Sequence, residues 1–173
     1  MIRTLVAALA LVAGCTTLEP EVYRDQRPPL DLFRYFDGKL DAWGQFEDRS
    51  GKVLKRFVVL LRGTVQGDRL TLEEDFVYSD GTKERRVWTI TRTGDGAYRG
   101  TAADVVGEAE GRSAGNALHW RYTLALQVDG RTWHVQFDDW MFLHEGGVML
   151  NRAVMSKFGI RLGEVFIAFR RRA

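Results

Sequence analysis

The stretch Leu118 to Val128 alternates without a break. Leu118, Trp120, Tyr122, Leu124, Leu126 and Val128 share one parity, and His119, Arg121, Thr123, Ala125 and Gln127 share the other. A period of two separates one apolar face from one mostly polar face, as in a half-buried strand. Beyond Asp129-Gly130, Trp133, Val135 and Phe137 alternate with Thr132, His134 and Gln136, so two amphipathic strands flank a turn of the tight-hairpin kind. The same pattern puts Leu70, Leu72, Phe76 and Tyr78 before Asp80-Gly81, and Val87-Trp88-Thr89-Ile90 after it.

Ser50-Gly51, Gly67-Asp68, Gly94-Asp95-Gly96, Gly115-Asn116 and Gly146-Gly147 punctuate the rest into about ten short runs. The chain's three prolines, Pro20, Pro28 and Pro29, all precede Leu30, which suits an uninterrupted hydrogen-bonded sheet after it. No helical pattern is long enough to supply crossovers, which argues against a parallel α/β sheet. The reading is all-β: an antiparallel up-and-down β-barrel of about ten strands, because serial hairpins close easily and closure removes exposed edges. Leu30 to Phe36 is short, aromatic and bounded by Asp37-Gly38, and reads either as a helical turn or as a plug across one end.

Hydrophobic residues at 45% and aromatic residues at 12% are too rich for a disordered chain, and 25 basic against 23 acidic residues give no electrostatic reason for a nucleic-acid partner. The start, Met1-Ile2-Arg3 followed by the apolar run Thr4 to Ala13, reads as a signal peptide; the run is too short for the about 20 residues a membrane-spanning helix needs. Val12-Ala13-Gly14-Cys15 resembles the bacterial lipobox, in which the cysteine is acylated and becomes the first residue. Cys15 is the only cysteine, so acylation accounts for a thiol that has no disulfide partner in the chain. Several acyl chains give durable membrane anchoring. By the sorting pattern of such lipoproteins, Thr16 in place of Asp favours the periplasmic face of the outer membrane. The expected division is a leader over 1–14, an acylated tether over 15–29 and one barrel domain over 30–173.

Several short motifs accumulate along the barrel region: Leu30-Asp31-Leu32, Tyr35-Phe36-Asp37-Gly38, Ala42-Trp43-Gly44-Gln45-Phe46, Asp48-Arg49-Ser50-Gly51, Tyr78-Ser79-Asp80-Gly81, Arg86-Val87-Trp88, Asp138-Asp139-Trp140-Met141, Asn151-Arg152 and Ser156-Lys157-Phe158-Gly159. Together they resemble the bacterial lipoprotein family catalogued as domain of unknown function 3833, from about Leu30 to Phe169. The resemblance implies a lipocalin-like fold and no established activity. It also brings an association with genes for membrane fatty-acid modification.

Polar residues on apolar faces are the candidates for a ligand site. Glu74 shares the parity of Leu70, Leu72, Phe76 and Tyr78, and Asp139 that of Trp133, Val135, Phe137 and Met141. Buried carboxylates need partners. Folding the last hairpin about Glu145 to Gly147 sets Asp139 near Arg152, which shares the parity of Val148, Leu150 and Val154, while a bulge at Asp138-Asp139 would turn Asp138 inward instead. An internal salt bridge that fixes register and an anion contact through Arg152 with Lys157 are the two readings of that pair. Trp120, Trp133 and Tyr78 are candidates to line a ligand. Trp43, Trp88 and Trp140 complete the set of tryptophans, which in such a fold serve more often as core than as ligand contacts.

The catalytic templates fit poorly. His119, His134 and His144 form no zinc motif, no serine sits in a nucleophile elbow, and adjacent Asp138 and Asp139 point to opposite faces of a regular strand. Neither a cofactor nor a metal is expected. Three functions stay in view: a lipid-anchored barrel binding a fatty-acid or other lipid ligand, a filled envelope barrel docking a membrane protein partner, and an enzyme on modified lipids using Asp138 or Asp139. Interior size separates the first two.

Overall fold

The computed structural model describes residues 18–128 and 130–172. The segment read as a leader over 1–14, Cys15, Thr16, Thr17, Asp129 and Ala173 lie outside the described residues. The ten strands are β1 (Gly38–Asp48), β2 (Val53–Gln66), β3 (Arg69–Tyr78), β4 (Lys83–Gly94), β5 (Ala97–Thr101), β6 (Ala109–Ala114), β7 (Ala117–Val128), β8 (Arg131–Leu143), β9 (Val148–Lys157) and β10 (Ile160–Arg171). Each pairs antiparallel with its sequence neighbour, and β1 pairs β10 from Leu40↔Arg171 to Asp48↔Gly163, which closes the barrel. The expected up-and-down barrel is therefore the fold, and it is of the lipocalin-like kind.

Closure satisfies both edges within the described span, and the whole apolar core falls between Leu30 and Phe169. The barrel and its plug thus close on themselves around their own core. The alternation read from the sequence sets the inner faces of β3, β7 and β8: Leu70, Leu72, Leu118, Trp120, Leu124, Val135 and Phe137 are all buried. Trp120 lies flat against β6, where a Cβ on Gly111 would come within 2.0 Å of its ring, so that position requires glycine.

Leu30 to Phe36 proves to be helical turn and plug at once. Helix α1 (Leu32–Phe36) is capped by Asp31, whose carboxylate accepts the backbone N–H groups of Phe33 at 3.0 Å and Arg34 at 3.2 Å. It inserts Phe33, Tyr35 and Phe36 into the end of the barrel where β2 ends and β3 begins. Phe36 meets Phe169 edge to face at 5.7 Å, and the Tyr35 hydroxyl donates to the carbonyls of Gly147 and Phe169, both at 3.1 Å. A side chain at Gly63 would strike the Phe36 carbonyl at 1.8 Å, so glycine there lets the plug seat.

The segment read as a tether is built onto the barrel from Pro20 onward. A 3₁₀ turn, Pro20–Tyr23, buries Pro20 and sets the Tyr23 ring edge-on to Trp140 at 5.9 Å and Phe142 at 5.1 Å on the outer wall. His119, outward on β7, is stacked on Trp140 at 4.2 Å and almost wholly buried there. The segment then reaches the plugged end, where the Leu30 N–H donates to the Gly115 carbonyl at 2.7 Å. An outward apolar patch on β8 explains this: it needs cover, and the nearest free chain supplies it.

Candidate functional site

Inside the barrel is a cavity of about 230 Å³, floored by Leu32 and Phe36 of the plug and reaching Phe46, Tyr78, Glu84 and Leu126 toward the opposite end. Its walls are mostly aliphatic and aromatic, with Trp88, Trp120, Phe57 and Phe137 among them. A belt of polar side chains interrupts this lining: Glu74, Arg86, Tyr122, Asp139 and Asn151.

The belt arises from strand parity combined with a gap in the wall. Strand β4 pairs with the short β5 only from Thr89 to Gly94, which leaves Arg86 beyond the reach of that ladder. The loop after β5 fills the gap by folding along β7, with Val105 bridged to Leu124 and the Asp104 carbonyl accepting from Ala125 at 2.8 Å. Asp104 thereby meets Arg86, which donates to it from Nε at 3.0 and 3.2 Å and from a terminal nitrogen at 2.7 Å. The same guanidinium lies 3.9 Å from Glu74 and 3.7 Å from Glu84. Bidentate pairing of this kind holds a buried arginine charged, and here the pull of Glu74 and Asp104 outweighs the desolvation that would otherwise lower its pKa.

Glu74 and Asp139 are the two carboxyls that face the cavity most directly. Burial pushes Glu74 up to about 7 against the opposing pull of Arg86, and the charge of Asp104 adds to the rise. Burial likewise pushes Asp139 up to about 7, against hydrogen bonds from Asn151 and Tyr122. The Asn151 amide donates to Asp139 Oδ1, and the Tyr122 hydroxyl donates weakly to Oδ2 at 3.4 Å. Desolvation and the neighbouring Asp139 raise the Tyr122 phenol well above its ordinary value.

The sequence-derived residues divide between inside and outside. Glu74, Asp139, Trp120 and Tyr78 are in the cavity wall, and the β8 ladder runs unbroken past Asp138 and Asp139, so no bulge turns Asp138 inward. Asp138 instead faces out and pairs with His119 at 3.1 Å.

Arg152 corrects the expectation. Asp139 aligns with Ala153 and Trp140 with Arg152, so the Arg152 side chain is outside the barrel, where it binds Glu164 beside Arg161. The inward residues of β9 are Met149, Asn151 and Ala153, and the partner of Asp139 is Asn151. Both parities of β9 are apolar, so alternation could not choose between them. The choice is made by pairing with β8.

Trp133 and Lys157 stand at the end opposite the plug, with the Lys157 ammonium 4.4 Å above the indole. The Lys55 ammonium lies 4.2 Å above the Tyr78 ring at that same mouth and reaches Asp80 at 2.8 Å. Sequence reasoning missed Arg86, Tyr122 and Asn151 as site residues. Arg86 carried a usable signal, because it shares the parity of the buried Trp88 and Ile90. Asp104 carried none, since a loop has no period.

Fold and interior together define a closed, lipocalin-like antiparallel barrel with an incompletely filled, largely apolar cavity. The chain belongs to the family described as Protein of unknown function (DUF3833), which matches it over residues 9–171. No curated protein matches it.

Proposed function

We propose that this protein is a lipoprotein of the bacterial envelope, acylated at Cys15 and held at the periplasmic face of the outer membrane, whose barrel binds an acyl or lipid ligand. The observation that carries this reading is the cavity: about 230 Å³ of mostly apolar space closed by α1 at one end and reaching the mouth at the other. That is below the about 300–1,000 Å³ of common small-molecule sites, which favours one slender chain over a bulky ring system. The ammonium groups of Lys157, over Trp133, and Lys55, over Tyr78, stand at that mouth. The lipobox-like Val12-Ala13-Gly14-Cys15 supports the anchor. Because the chain is bound to the wall from Pro20, about five residues, about 17 Å when extended, link Cys15 to the barrel.

The test is to purify the chain from Thr16 onward from bacterial periplasm and analyse it by native mass spectrometry and solvent extraction. A stoichiometric lipid supports the reading. An empty protein whose tryptophan fluorescence stays unchanged across fatty acids and phospholipids refutes it. For the anchor, labelled palmitate should enter the full chain and fail to enter Cys15→Ser.

A second reading, the barrel that docks a membrane protein partner, has one observation in its favour. The outward residues Leu150, Ala168, Trp43, Val58 and Val77 align in register across β9, β10, β1, β2 and β3, and Trp43 is 49% exposed. A photo-crosslinking residue in place of Val58 would join one discrete protein in cells if this holds, and none if it does not.

A further inference from the structure

The polar belt of the cavity is one-sided in charge. Four carboxyl groups, Glu74, Glu84, Asp104 and Asp139, surround it, against the single guanidinium of Arg86. The charge of Arg86 is already matched by carboxylates: Asp104 occupies Nε and one terminal nitrogen, beside which Glu84 also lies at 3.7 Å, and Glu74 lies 3.9 Å from the other terminal nitrogen. A carboxylate brought to the belt would be stripped of water and set among acceptors. Acceptor capacity, in contrast, is in surplus. Asp139 is 5% exposed and takes one close donor, Asn151, and one weak one at 3.4 Å, whereas a carboxylate can accept about four hydrogen bonds.

We propose that the belt receives a hydrogen-bond-donating group, an amine or a hydroxyl, on an alkyl or acyl chain, and rejects a carboxylate. The proposal rests on the ligand-binding reading above and specifies the head group. Apolar space toward Leu32 and Phe36 takes the chain, and Glu74 and Asp139 take the donor.

The groups that face Glu74 are Arg86 and Glu84 from β4, Tyr78 from its own strand, Asp104 from the loop after β5, Tyr122 from β7 and Asp139 from β8. The cavity-lining residues of β1, β2, β9 and β10 carry no ionisable side chain at that level. Glu74 and Asp139 gain negative charge as pH rises through about 7, so a cationic amine binds more tightly at pH 8 than at pH 6.

The test compares decylamine, decanol and decanoate on the chain from Thr16 onward, followed by tryptophan fluorescence and calorimetry at pH 6 and pH 8. Decylamine and decanol are expected to bind, with decanoate at least about tenfold weaker than decylamine at pH 8, as the loss of one buried charge-assisted hydrogen bond implies. Glu74→Gln should erase most of the preference for the amine, and Asp139→Asn provides the same readout should the first variant fold poorly. Decanoate binding as tightly as decylamine overturns the proposal and leaves the ligand-binding reading standing. Decanoate binding that Lys157→Ala abolishes and Glu74→Gln does not touch overturns it in the same way, by placing the head group at the mouth. If none of the three compounds binds, the ligand-binding reading falls and the proposal with it.

Discussion

Glu74 shows how one side chain ties strand parity to the chemistry of the interior. It sits in the run Glu73-Glu74-Asp75, whose flanking members point outward to Arg85, while Glu74 faces the cavity with its side chain 12% exposed. Burial raises its pKa from 4.5 to about 7 and that of Asp139 from 3.8 to about 7. Between those values the native state holds protons that the unfolded state has released. This contribution to stability is therefore fully present below about pH 4 and is lost as pH rises through 7. Urea unfolding of the chain should show stability falling over that window by on the order of 1–3 kcal/mol per group, and Glu74→Gln should flatten the slope. An unchanged slope would place Glu74 in water. Arg86 is the reciprocal case: Arg86→Leu leaves Glu74 and Asp104 without their cation, and a loss of about 3–5 kcal/mol in the same assay is expected.

At the scale of elements, helix α1 decides which end of the barrel is closed. Five residues make a marginal helix in isolation, so its stability comes from the Asp31 cap and from aromatic packing inside the barrel. Tyr35 belongs to this arrangement, and burial pushes its phenol up to about 12. Gly63→Ala should force the Phe36 carbonyl away and cost about 1–3 kcal/mol, with faster amide exchange in α1. A variant as stable as the parent would mean that the plug shifts freely.

The alternation in β3, β7 and the first half of β8 was legible because one parity there is apolar and the other mostly polar, and the turns because glycine supplies a positive φ, as at Gly51 and Gly81. Strand β9 was not legible. Val148, Leu150 and Val154 compete with Met149, Ala153 and Met155, and the ladder to β8 selects the second set for the interior. The same ladder placed Arg152 outside and Asn151 beside Asp139.

For the whole molecule, closure separates two populations of tryptophan. Trp88 and Trp120 are 6% and 4% exposed within the barrel, whereas Trp43 stands on the outer wall and Trp133 at the mouth, 49% and 39% exposed. Trp140 also lies on the outer wall, so acrylamide should quench the parent protein strongly, and the triple variant Trp43→Phe/Trp133→Phe/Trp140→Phe should retain a blue-shifted, largely protected emission from Trp88 and Trp120. Strong quenching of that variant would mean that water enters the cavity freely. The hairpin series, the barrel class and the lipobox-like start could be read from the residues alone, because period two, glycine turns and a short apolar run are local properties of the chain. The inner face of β9, the pairing of Arg86 with Asp104 and the docking of Pro20–Tyr23 on the outer wall emerged from the folded arrangement. Those depend on which strands become neighbours and where the wall leaves a gap, and a long-range pairing leaves no period in the residues that make it.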